Sequence, residues 1–206
     1  DHGIKLEGKR VGVIGSAASA VQFAPEIAKV VQHLTIYQRT PNFVNPRQNA
    51  FEEDFLSALK QNPEATMLKE RATLSGWLDA VCTYDDEAVL SGFKQNALDN
   101  IALVKDPAVR AKLTPDYPFG SKRGLVSSDW YPMFNRDNVE LVTDAITRVT
   151  EKGIASEDGS ERAFDVIILA TGFQTTKFMS AIPVTGKNGR SLNDEWSGGA
   201  KAYLGI

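Results

Sequence analysis

Residues 10–20 read R-V-G-V-I-G-S-A-A-S-A, and the fold turns on how that stretch is read. Val11, Val13 and Ile14 are apolar and β-branched, the composition of a strand buried on both faces of a parallel sheet. From Gly15 to Ala20 there is only Gly, Ala and Ser, so the backbone can come close to a ligand. Val21, Ala24, Ile27, Ala28 and Val31 then recur at helical spacing. Pro25 falls inside this helix and predicts a kink or a late helix start. Leu34 to Tyr37 reads as a second strand, with Arg39 just past its end.

A strand, a small-residue turn, a helix and a second strand at this spacing match the dinucleotide-binding fingerprint. Gly15 allows the tight turn, and backbone N–H groups opening the helix can hold a pyrophosphate. The second glycine of the pattern is replaced by Ala17, whose methyl crowds that turn, while Ala20 is an accepted variant at the third position. An acid closing the second strand would bond the ribose 2′-OH of NAD; Arg39, with Thr40 beside it, suits the 2′-phosphate of NADP instead. A tight turn in any α/β protein could give the same letters.

The 206 residues carry 42% hydrophobic and 24% charged side chains, ordinary values for a folded domain. A net charge of −3 argues against a general nucleic-acid binder. Cys82 is the only cysteine, so an intramolecular disulfide and a Cys-rich metal site are excluded; His2 and His33 make a His-based metal site improbable. No apolar run approaches membrane-span length. No metal and no membrane contact are expected, and the expected location is the cytoplasm.

Thr40 to Arg47, with two prolines and two asparagines, reads as a loop. Residues 51–113 change character. Phe55, Leu56 and Leu59 share a helical face; Asn62-Pro63-Glu64 is a cap-plus-proline helix start; Leu68, Arg71, Leu74, Leu78 and Val81, then Val89, Phe93, Ala97, Ile101 and Val104, recur at helical spacing. Asp106-Pro107 repeats the start signal. Three or four helices are predicted, forming an insertion that serves as a solvated lid or a contact surface. Thr114 to Gly124 turns to Pro, Gly and basic residues; adjacent Lys122 and Arg123 make it a candidate anion site, or simply a solvated turn. Val139 to Val142 reads as a short strand, 145–159 as a small β-meander, and Asp165 to Ala170 as a buried strand ending in Thr171-Gly172.

These segments, in this order, resemble the NADPH-binding domain of Baeyer–Villiger type flavin monooxygenases, especially those acting on acetophenone-like and cyclic ketones. The resemblance rests on G-K-R-V-G-V-I-G-S-A-A-S-A-V-Q (8–22), L-T-I-Y-Q-R-T-P-N-F-V (34–44), Y-P-F-G-S-K-R (117–123), F-N-R-D-N-V-E-L-V (134–142) and D-V-I-I-L-A-T-G-F (165–173). It implies a Rossmann-like α/β fold: a doubly wound parallel sheet with a helical insertion and a small β-meander. It also implies a division of the chain: residues 1–8 a linker from a missing FAD domain, 9–50 and 114–173 the NADPH-binding domain, 51–113 the insertion, and 174–206 a linker returning to the FAD domain.

The roles the resemblance implies fall on particular residues. Gly15, Ser16, Ala17, Ser19 and Ala20 match the pyrophosphate turn, and Arg39 and Thr40 the pair on the adenosine 2′-phosphate. Lys122 matches a second cation on that phosphate. Ala170, Thr171 and Gly172 match the return to the flavin domain at the cofactor site. Arg123 matches the catalytic arginine over the flavin, whose fixed charge would stabilise negative charge developing during oxygenation. Consecutive side chains in an extended loop point in opposite directions, so Lys122 and Arg123 can do different work. NADP(H) and FAD are the implied cofactors and a small ketone the implied substrate; FAD is not expected on this chain alone, which is expected to be inactive. Other readings are the NADP module of an N-hydroxylating or sulfur-oxidising flavin monooxygenase, and another pyridine-nucleotide flavoprotein reductase. The Lys-Arg pair favours the Baeyer–Villiger branch.

Overall fold

The computed structural model describes residues 3–47, 53–82, 86–173 and 181–201. In chain order the elements are β1 (Arg10–Ile14), α1 (Ala18–Ile27), β2 (His33–Tyr37), β3 (Val44–Asn45), α2 (Glu53–Gln61), α3 (Pro63–Cys82), α4 (Glu87–Ile101) and α5 (Pro107–Leu113). Then follow β4 (Leu125–Val126), α6 (Trp130–Met133), β5 (Val139–Val142), β6 (Ile146–Val149), β7 (Gly153–Ser156), β8 (Glu161–Ala163), β9 (Val166–Leu169) and α7 (Leu192–Glu195). The chain divides into two compact units, Asp1–Ala170 and Thr171–Ile206.

The first unit is built on a four-stranded parallel sheet of order β5-β2-β1-β9. Alternate side chains go to opposite faces, so each strand feeds two layers. Val11, Val13, Leu34, Ile36, Leu141 and the partly buried Val139, Val166 and Ile168 face one cluster, closed by Ala20, Val21, Ala24 and Ala28 of the α1 segment and by Ile101, Leu113, Trp130 and Tyr131. Burying each large aliphatic side chain contributes about 1.5–3 kcal/mol. Small alanines on the buried side of α1 let the helix lie close to the sheet.

Ile14, Tyr37, Val142 and Ile167 face the other way and pack with Ile146, Ile154 and Phe164. This second layer contains the antiparallel meander β6-β7-β8. Gly12 sits in mid-strand because the Phe164 ring occupies its side-chain position, 3.0 Å from where a Cβ would stand. Under the meander, Glu140 takes Arg162 Nη2 at 2.9 Å and the Thr35 hydroxyl at 3.4 Å. Burial alone would raise the Glu140 pKa, but the hydrogen bonds and charge of Arg162, helped by His33 and Thr35, bring it below its ordinary value.

Two expectations need correction. Pro25 does not mark a late start: α1 opens at Ala18, and the proline lies in its last turn, where it forgoes only its own N–H bond to the residue four back. The helices of 53–113 also differ among themselves. Leu56, Met67, Leu68 and Leu74 on α2 and α3 are exposed, whereas Ala97, Ile101, Val104 and Leu113 from α4, α5 and their junction are buried, the last three in the main core. The Asn62 carboxamide accepts the Ala65 N–H, and the Asp106 carboxylate accepts the Ala108 N–H, as their cap signals predict. Phe51 and the side chains of Leu78 and Val81 lie outside the described residues.

The second unit holds a Thr185–Ser191 bridge, a 3-10 turn at Lys187–Gly189 and the short α7, capped by Ser191. Residues 174–180 and 202–206, part of the segment read as a return linker, lie outside the described residues.

β9 is stitched to β1 at its start by Asp165, whose carboxylate accepts the Arg10 backbone N–H at 2.8 Å and its guanidinium at 2.9 Å. The Arg10 side chain, then its N–H, hold the Asp165 pKa at about 2, below the ordinary 3.8. A carboxylate with a depressed pKa stabilises the fold fully above its ordinary pKa and loses that contribution as pH falls through the folded value. Asp165→Asn therefore lowers the melting temperature at neutral pH and flattens the acid limb from about pH 4 to 2. Melting curves against pH check this, and parallel limbs for the two proteins would refute it.

Candidate nucleotide site

The site forms at the carboxyl ends of β1, β2 and β9, where an open α/β sheet leaves room for a ligand. Gly15 has φ +114°, and a Cβ there would collide with the Ala170 carbonyl just past β9. Its N–H donates to the Tyr37 carbonyl at 3.0 Å, while the Ala170 N–H donates to the Ile14 carbonyl at 2.8 Å. The turn is thus tied to both neighbouring strands.

Beyond it, α1 begins without a side-chain cap: Ala17 occupies the N-cap position and offers no acceptor, and no acid lies in the first turn. Ala17, Ala18 and Ser19 are exposed, Ser16 and Ala20 buried. A helix of ten residues with an open N-terminus and no anionic side chain in its first turn presents donors and a partial positive charge that an anion can satisfy.

A second set of contacts fixes the loop after β2. The Asn42 carboxamide donates to the Ser16 carbonyl at 3.1 Å, and the Ser16 hydroxyl faces the Thr40 carbonyl at 3.5 Å. The buried Tyr131 hydroxyl donates to the Asn42 carbonyl at 2.9 Å and accepts the Val44 N–H at 3.3 Å; burial raises its pKa. Asn100 of α4 donates to the carbonyls of Val44 and Ser127, joining this loop to the chain that leaves Lys122 and Arg123. Phe43 meets Tyr117 and Phe119 edge-on at 5.6 and 5.2 Å.

Arg39, Lys122 and Arg123 are exposed. Among the described residues none of the three pairs with a carboxylate. Lys122 lies over the Tyr117 ring, Nζ 4.6 Å from its centroid, and the Tyr117 hydroxyl donates to the Pro41 carbonyl at 2.9 Å. The Arg39–Pro41 segment and Lys122 are therefore linked through one side chain. Arg123 makes no such link. Thr171 and Gly172 are exposed and belong to the second unit.

Asn42, Asn100, Tyr117 and Tyr131 were not singled out by sequence reasoning. Asn42 and Tyr117 stand inside the quoted T-P-N-F-V and Y-P-F-G-S-K-R runs, so their segments, though not their roles, were visible.

No family model matches the chain. It is 39% identical to a Baeyer-Villiger monooxygenase of Streptomyces coelicolor and 38% identical to one of Pseudomonas aeruginosa, in each case over 100% of this chain and 40% of the relative. Along its whole length the chain is a homologue of Baeyer–Villiger monooxygenases. It spans about two-fifths of the length of these curated relatives. Closed cyclohexanone monooxygenase superposes with a TM-score of 0.80 at 28% identity, covering 100% of this chain and 46% of that one. OTEMO complexed with FAD and NADP superposes at 0.79 and 30%, with coverage of 100% and 46%. The Rossmann-like fold is that of these Baeyer–Villiger neighbours. Among the described residues there is no group of His, Cys, Asp and Glu that could hold a metal ion, and no helix long and apolar enough to cross a membrane.

Gly15→Ala tests the turn. Positive φ and the closeness of the Ala170 carbonyl together should cost roughly 1–3 kcal/mol of stability. Urea unfolding of the two proteins measures it; unchanged stability would mean that β1 and β9 do not close as described.

Proposed function

We propose that this chain is the NADP(H)-binding portion of an FAD-dependent monooxygenase that uses NADPH and O2 to insert oxygen into ketones. The observation that carries the reading is the open, uncapped N-terminus of α1 above Gly15, with Arg39 and Lys122 left without acidic partners among the described residues. The homology to Baeyer-Villiger monooxygenases supports it, as does the likeness to a structure complexed with FAD and NADP.

The residues fit a 2′-phosphorylated dinucleotide. Only glycine fits at position 15, which keeps the backbone low where a pyrophosphate would pass. The N–H groups of Ala18, Ser19 and Ala20 open α1 and would donate to it, with Ser16 and Ala17 shaping the approach. Arg39 and Thr40 would hold the 2′-phosphate from one side and Lys122 from the other, as a charge-assisted grip. Ala170, Thr171 and Gly172 would lead the chain to the flavin-binding part. FAD, when bound there, supplies the oxygenation chemistry. Arg123 would stabilise negative charge developing on oxygen. Without the flavin-binding part the chain binds nucleotide weakly and catalyses nothing; a small ketone is the substrate of the whole enzyme. The proposed location is the cytoplasm, which a lone cysteine suits.

In the full-length flavoenzyme, Arg39→Ala should weaken NADPH binding more than NADH binding, by about 1.5–3 kcal/mol for a lost charge-assisted contact. Titration with both cofactors decides, and equal losses would refute the assignment. Steady-state kinetics then separate the two neighbours. Lys122→Ala raises KM for NADPH and leaves the rate at saturating cofactor largely intact, because it removes binding common to ground and transition states. Arg123→Ala still binds NADPH but oxygenates ketone far more slowly, a positioned charge contributing on the order of 3 kcal/mol. Near-normal ester formation by Arg123→Ala would end that division of roles.

A further inference from the structure

Tyr117 is half-buried in the loop between α5 and β4, and it does two things at once. Its ring lies under the Lys122 ammonium, 4.6 Å from centroid to Nζ. Its hydroxyl donates to the Pro41 carbonyl at 2.9 Å, two residues after Arg39. The ring itself is held edge-on by the buried Phe43, which also meets Phe119, and Phe119 stacks on Phe93 of α4. Tyr117 is therefore anchored to the core on one side and carries a cation on the other.

An exposed lysine is a point charge on a flexible four-carbon stem, and ordering it costs rotamer freedom. A ring face under the ammonium restricts the stem without using its hydrogen-bond donors, since cation–π attraction is electrostatic. The three N–H groups of Lys122 stay available to an anion. The bond to Pro41 holds the Arg39–Thr40 segment in register with the same lysine. We propose that Tyr117 is a positioning residue that sets the preference for 2′-phosphorylated over unphosphorylated dinucleotide by holding Lys122 and the Arg39–Pro41 segment together. The proposal rests on the reading of Arg39, Thr40 and Lys122 as phosphate contacts.

The test uses the full-length, FAD-loaded polypeptide that carries this chain, with NADP+ and NAD+ titrated by calorimetry. The two probes differ only in the 2′-phosphate, so the ratio of their dissociation constants is a readout that a general loss of structure does not move. Tyr117→Leu removes ring and hydroxyl and should cut the preference for NADP+ about tenfold; Tyr117→Phe keeps the ring and should cut it about threefold. Lys122→Ala serves as the reference. If Lys122→Ala lowers the ratio while Tyr117→Leu leaves it within about twofold, Tyr117 does not position the lysine and the proposal falls alone. A Tyr117→Leu variant that binds NADP+ more tightly also overturns it, since the ring would then compete for the ammonium. If Tyr117→Phe matches the unaltered protein while Tyr117→Leu does not, the ring is the positioning group and the Pro41 bond is not. If Lys122→Ala and Arg39→Ala leave the ratio unchanged, or the unaltered protein binds no NADP+, the underlying nucleotide reading fails instead.

Discussion

The close approach of Gly15 to the Ala170 carbonyl is the constraint on which the rest of the site depends. β1 lies between β2 and β9, so the chain leaving it is hydrogen-bonded to both: Gly15 to Tyr37, and Ala170 to Ile14. Only a residue without a Cβ can turn there at positive φ. That turn sends α1 back across the sheet with its first N–H groups at the strands' carboxyl ends, where Arg39 also emerges from β2. Any displacement of β9 would open the turn and remove the reason for glycine. The Arg10–Asp165 pairing at the far end of the same strand pair therefore bears on the site from about four residues away, by fixing the register of β9.

The second constraint is the division of the sheet into two faces. Period-two alternation gives one face to aliphatic packing against α1 and α6, the other to the meander. A polar pair sits under the meander: Glu140 of β5 with Arg162 of β8, joined by Thr35. A partly buried ion pair is weak support for stability, because desolvation offsets most of the attraction. Its bidentate geometry instead fixes where β8 lies over the sheet, and β8 leads directly through Phe164 into β9.

Much of this was legible in the sequence. β-branched runs at Val11–Ile14, Leu34–Tyr37 and Asp165–Ala170 mark strands whose burial is local and repetitive, and the caps at Asn62 and Asp106 declare themselves by a short side chain followed by proline. What the sequence hid depends on distant partners. Helical spacing assigns Leu68 and Ala97 equally to helices, but only the tertiary fold decides that one is exposed and the other buried. Pro25 sits inside α1 at the cost of its own N–H bond to Val21, a loss that the packing of Ala20, Val21 and Ala24 outweighs, and helix starts are among the least legible features. Asn42, Asn100 and Tyr131 act through one or two side chain-to-backbone bonds each, across 26 to 89 residues, and such bonds leave no periodic trace.

Those bonds explain how loops can carry a charged site at all. Arg39 and Lys122 have long exposed side chains without carboxylate partners among the described residues, and the segments bearing them contain no regular structure of their own. The stiffness comes from beneath. Tyr131 is buried, its hydroxyl bonded to both the Asn42 carbonyl and the Val44 N–H; Asn100 is buried and holds Val44 and Ser127; Phe43 is buried and receives Tyr117 and Phe119. Leaving such a buried polar group unsatisfied costs about 1–3 kcal/mol, so each loop has one strongly preferred position. Part of this support comes from α4, a helix that by spacing alone reads as part of a peripheral insertion. Its buried end belongs to the core, where Asn100 holds Val44 and Ser127, and Phe93 nearer its start stacks on Phe119. The helical segment is therefore not uniform: the described side chains of α2 and α3 are mostly exposed, and those at the end of α4 are buried.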